Sequence, residues 1–146
     1  MEDVNQASDL IDVESSPSEH LWRIALNADL LLIAEPAPAR SLLVLSAELG
    51  KPADGDSAFF NELFLLYAHA WDASGGLRMS LDPAAGSAWL LLDVAPNNMS
   101  VTGLVEVFMS FAERVRVWRQ IVTSPRDFLD DLERIETLVH SSMMRV

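Results

Sequence analysis

The strongest constraint on the fold lies between Leu21 and Ala47. Three short apolar runs, Leu21–Leu26, Leu30–Ala34 and Leu42–Ala47, are separated by Asn27-Ala28-Asp29 and by a break beginning Glu35-Pro36-Ala37-Pro38. Parallel pairing needs a crossover of a dozen or more residues, and neither gap can hold one. Both gaps are turn chemistry instead. The three runs therefore predict an antiparallel meander. A strand with one wet face alternates apolar and polar side chains. Leu30-Leu31-Leu32-Ile33 and Leu42-Leu43-Val44-Leu45 do not alternate. Both faces of this sheet are expected to be covered, in part by another chain.

Downstream the period changes. Asp56 or Ser57 is a fair N-cap, and Ala58–Asp72 predicts a helix. Asn61, Glu62, His69 and Asp72 share one arc with Leu65 and Ala58, while Phe59, Phe60, Leu63, Phe64, Leu66, Tyr67, Ala70 and Trp71 fill the rest. That apolar arc spans roughly 200°, about twice the stripe of a one-sided surface helix. Gly75-Gly76 ends the element. Leu77–Leu81 and Ala88–Val94 predict a hairpin across Asp82-Pro83-Ala84-Ala85-Gly86. Ser100 caps a long helix to about Val122, with a regular stripe from Val101 through Phe108, Phe111 and Val115 to Trp118. Ser124-Pro125-Arg126-Asp127 starts a last helix carrying Phe128, Leu132, Ile135, Leu138 and Val139. The fold class is α+β: a five-stranded antiparallel sheet in the order β-β-β-α-β-β-α, packed with helices, plus an additional C-terminal helix. Residues 1–19 form an acidic tail or short helix, 20–123 the domain, and 124–146 the helical extension.

Charge and composition narrow the function. Acidic residues number 22 against 10 basic ones, a formal charge of −12. Nucleic acid and anionic membranes would repel such a chain. It has no cysteine, which removes disulfides and thiolate metal sites. Met1–Ser16 carries acids and no bases, the reverse of a signal peptide, and Glu62 and Asp93 interrupt the apolar runs short of a bilayer span. The expected compartment is the cytoplasm. His20, His69 and His140 show no metal-ligand spacing, and no nucleophile elbow or phosphate loop is present. Asp127, Asp130, Asp131 and Glu133 lack the glycine and alternation of a calcium loop. Arg114, Arg116 and Arg119 are expected to balance acids on an exposed helix face. Neither catalytic nor metal residues are expected, and no cofactor.

The element order, with particular residues, resembles the class I type III secretion chaperones, the Tir-chaperone-like family. Leu66-Tyr67-Ala68-His69-Ala70-Trp71, Gly75-Gly76 and the Leu81-Asp82-Pro83 turn are similar to that family's central helix and following hairpin. Ala88-Trp89-Leu90-Leu91-Leu92 is similar to its last strand, and Phe111-Ala112-Glu113-Arg114 with Trp118 to the helix after it. The resemblance covers most of the chain. The family opens with an amphipathic helix, whereas the stretch here is short and acidic. The resemblance implies a homodimer through the central helix, in the cytosol of a Gram-negative bacterium, with a role in virulence. It implies a chaperone that holds the N-terminal region of a secreted effector extended and export-competent, with the secretion-system ATPase as a further partner. It implies no enzyme activity.

The residues alone leave each apolar sheet position as core or as partner contact. With the resemblance, Trp22, Ile24, Leu30, Leu32, Leu43 and Leu45 are the expected effector-binding residues, and the Leu21–Leu26 strand is the expected open edge for an added strand. Phe60, Phe64, Tyr67 and Trp71 are the expected dimer interface. The alternative is a small α+β ligand-binding domain or enzyme with a pocket between the sheet and the long helix.

Overall fold

The computed structural model describes residues 11–26, 29–53, 55–69 and 76–124. Six strands form one sheet: β1 Ile11–Ser16, β2 Leu21–Leu26, β3 Leu30–Ala37, β4 Leu42–Gly50, β5 Leu77–Leu81 and β6 Ala88–Val94. Their order is β1-β2-β3-β4-β6-β5, and every pairing is antiparallel. Helix α1 spans Ser57–His69 and α2 spans Val101–Thr123. The expected α+β architecture is the one observed, with one strand more. The helix expected from Pro125, its acidic cluster, Trp71 and His140 lie outside the described residues.

The additional strand is β1. Helical spacing suggested a tail or a weak turn there, but Ile11 and Val13 also alternate with Asp12 and Glu14, and that period of two prevails. Pairing with β2 runs from Ile11↔Leu26 to Ser16↔Leu21. The hairpin closes with the Glu19 amide donating to the Ser16 carbonyl at 3.1 Å. β2 is therefore not the edge of the sheet, as the meander alone suggested.

β3 runs on through Pro36, which a central strand normally excludes because it lacks an N–H. The register explains the exception. Pairing of β3 with β2 ends at Trp22↔Ala34, so Pro36 lies where β3 pairs with β4 alone, opposite Leu43.

Alternation divides the sheet into two unlike faces. The inner face carries Ile11, Ile24, Leu26, Leu30, Leu32, Leu43, Leu45, Leu49, Leu77 and Leu90, all buried. Phe60 from α1 and Phe108, Phe111 and Val115 from α2 complete this core. Ser100 caps α2, its hydroxyl accepting the Gly103 amide at 3.0 Å. Both helices pack on the inner face, so neither covers the other face of the meander. There Leu31 is 47% exposed, and Leu21, Ile33, Leu42 and Val44 are half-buried.

Candidate partner-binding surfaces

The outer face of the sheet is mixed in register. Leu31 stands opposite Ala25, Ile33 between Arg23 and Ser46, Val44 between Glu35 and Asp93, and Leu91 between Ser46 and Arg78. The arginines on this face and beside it are paired. Asp93 accepts from both Arg40 and Arg78. Arg23 meets Glu19 at 2.7 Å, and the Ser16 hydroxyl donates to the same Glu19 oxygen at 2.7 Å. The Ser16 hydrogen bond, then Arg23, holds the Glu19 carboxyl below its ordinary range. Between these ion pairs runs an apolar ribbon centred on Leu31 and Ile33.

Of the six expected effector-binding residues, only Trp22 is within reach of a partner. Ile24, Leu32 and Leu45 have no exposed surface, and Leu30 and Leu43 are buried with them. Trp22 is half-buried and helps line a groove of about 290 Å³ with Ser15, Pro17, His20, Leu21 and Pro36. The non-alternating runs hid this division, because Leu31 and Leu32 are chemically alike and only strand register tells the faces apart.

The helix α1 shows the same exchange of faces. Phe60 lies in the core, in edge contact with half-buried Phe64 at 6.1 Å. Tyr67 packs its ring on Trp118 of α2. These three are turned inward in the single chain. Leu65 and Leu66, by contrast, are 70% and 62% exposed, among the most open apolar side chains described. Leu65 was legible as an anomaly, a leucine standing within the polar arc of the helix.

Two of the three arginines of α2 reach the sheet. Arg116 pairs with Asp29 at 3.3 Å and with Glu113 at 2.6 Å. Arg119 donates to the backbone carbonyls of Glu48 at 3.0 Å and Asp29 at 3.3 Å. They fasten the end of the helix to the β2–β3 turn and to β4. The hydrogen bond from Arg116 is the chief cause of a lowered pKa at Asp29, and it raises that of Arg116 in turn.

A second cleft, of about 260 Å³, lies between α2 and the β5–β6 hairpin. Leu77, Leu92, Val107 and Phe111 form its floor, with Glu106, Ser110 and Arg114 along one side. This is where a ligand pocket between sheet and long helix would fall. Its three polar side chains are all exposed and successive on one helix face, rather than converging on a buried point. Among the described residues no group of three His, Asp or Glu side chains is placed to hold a metal ion. No described helix is long and apolar enough to cross a membrane.

The described residues define a class: an α+β domain in which one antiparallel sheet carries two helices on one face. Two solved structures share it. The HopA1–SchA chaperone–effector complex matches with a TM-score of 0.65 and 17% identity, over 81% of this chain and 88% of that chain. The ExsC–ExsE complex matches with a TM-score of 0.63 and 11% identity, over 76% and 82%. The fold is thus that of the type III secretion chaperones, as the residues of the central helix and hairpin suggested. No protein-family model matches the sequence, and no curated protein matches it significantly.

Proposed function

We propose that this chain is a cytoplasmic chaperone that binds the N-terminal region of a type III secretion effector in an extended state, and that it catalyses no reaction. The observation that carries this reading is the shared fold with one partner of a chaperone–effector complex over 81% of the chain. Charge supports it as well: at −12, the chain can display apolar surface and stay dispersed.

The client contact moves from the inner face, where Ile24, Leu30, Leu32, Leu43 and Leu45 serve as core, to the outer ribbon of Leu31 and Ile33 and to the groove at Trp22. An extended segment gains affinity by seating alternate side chains in apolar sites and by pairing its backbone with a strand edge. The homodimer forms through α1, with Leu65 and Leu66 at its centre and Phe60, Phe64 and Tyr67 supporting them from behind. The secretion-system ATPase receives the loaded complex.

The experiment is affinity capture of the full chain from its native bacterium, with mass spectrometry and limited proteolysis of what is captured. The expected result is one secreted protein, protected over its N-terminal region. Capture that depends on a small-molecule ligand, with no secreted protein present, would falsify this reading.

A further inference from the structure

Strand β1 pairs with β2 alone among the described residues and forms one edge of the sheet. Its inward residues Ile11, Val13 and Ser15 stand opposite Leu26, Ile24 and Trp22. Ile11 is buried and Val13 packs on the core, so two of the three positions fit. The third does not. Ser15 faces the indole with a side chain too small to cover it, and the groove of about 290 Å³ opens at that point. On the outward side, exposed Asp12 and Glu14 contribute to the chain's net charge of −12. Glu14 stands opposite Arg23, but that guanidinium is engaged by Glu19 at 2.7 Å. The turn into β2 holds His20 at φ 55°, a left-handed conformation uncommon for a residue other than glycine.

From these features we infer that β1 is a displaceable placeholder on the β2 edge, exchanged for an extended segment better suited to it. The incoming segment is apolar at the positions of Ile11 and Val13 and large and apolar at that of Ser15. At the positions of Asp12 and Glu14 it is neutral or basic. Exchange keeps the backbone ladder of β2 intact, because every peptide group β1 gives up is offered by the newcomer. It adds two gains that β1 lacks: apolar contact with Trp22 in the groove, and relief of like charge at the edge. The chaperone reading supplies only the source of the segment, an effector's N-terminal region.

The test uses the full chain, which has no cysteine of its own. Asp12 and Ala25 are directly opposite and outward, so Asp12→Cys with Ala25→Cys places one disulfide across β1 and β2 within bridging distance. The probe is a fluorescent synthetic peptide copying residues 10–17, with Asp12→Lys, Glu14→Lys and Ser15→Leu. It is expected to bind the reduced protein, to bind the oxidised protein at least about tenfold more weakly, and to recover with reductant. Ser15→Leu within the chain itself should also weaken binding, since β1 then fills its own groove. Equal binding to both redox forms, or binding to neither, overturns the proposal. The probe is not an effector, so the two readings fail separately: peptide exchange without any captured effector leaves β1 displaceable and sinks the chaperone assignment.

Discussion

The rings of Tyr67 and Trp118 meet edge to face, with centroids 4.8 Å apart and planes at 76°. This contact joins α1 to α2 above the inner face of the sheet, and it turns inward a tyrosine that the sequence had suggested for a dimer interface. Such pairs contribute about 1 kcal/mol beyond the area they bury. A double-mutant cycle with Tyr67→Leu and Trp118→Leu should return a coupling of about that size in urea unfolding. A coupling indistinguishable from zero would mean that the two helices hold their places without this contact.

Charge placed on opposite faces of α1 should have opposite consequences. Phe60→Glu puts a carboxylate where Phe60 is 1% exposed, with no partner, and should unfold the chain. Leu65→Glu and Leu66→Glu place it on open surface, so the fold should survive by circular dichroism while sedimentation shows loss of the dimer. A wild-type chain that sediments as a stable monomer at micromolar concentration removes the basis for this dimer.

The two faces of the sheet can be separated in the same way. Ile24→Asp should fail to fold, because a fully buried Ile is replaced by an unpaired acid at a cost of several kcal/mol. Leu31→Asp and Trp22→Ala should fold and bind the captured effector at least about tenfold more weakly. If both fold and bind it with wild-type affinity, recognition lies on the helices. Binding should also tolerate moderate salt, since the contact is mainly apolar.

Acid should weaken the tie between Arg116 of α2 and Asp29. The Asp29 carboxyl is held below its ordinary range, chiefly by the hydrogen bond from Arg116. A carboxyl whose folded pKa is depressed contributes stability above its unfolded value of about 3.9, and that contribution is lost as pH falls through the folded value. The wild type should therefore exceed Asp29→Asn in urea midpoint at pH 7, and the difference should shrink below about pH 4. The pair is open to solvent, so the difference is expected to be small and to decline with salt. A difference that stays constant from pH 7 to pH 2 would exclude this pair as its source.

Local chemistry was enough to define most of the elements. The short gaps after Leu26 and Ala34 forced an antiparallel meander, Ser100 marked the start of the long helix, and Asp82 to Gly86 marked the hairpin turn. There the Asp82 carboxylate accepts the Ala84 and Ala85 amides at 2.8 and 3.1 Å. Each of these signals acts over a few residues, through backbone sterics or a single side-chain cap, and so survives in a one-dimensional reading.

Which apolar residue faces which way was decided only by the tertiary structure. In a run such as Leu30-Leu31-Leu32-Ile33 every side chain favours burial, and the choice depends on where the helices lie. Once Phe108 and Phe111 covered one face, Leu32 became core and Leu31 remained open. β1 is the same case at the level of a whole strand. Ile11 and Val13 gain little alone, and they become a strand because β2 presents an unpaired edge and Ile24 and Leu26 beside it. Pattern along the chain determined what could be buried; long-range pairing, which adds backbone hydrogen bonds and apolar contact together, determined what was.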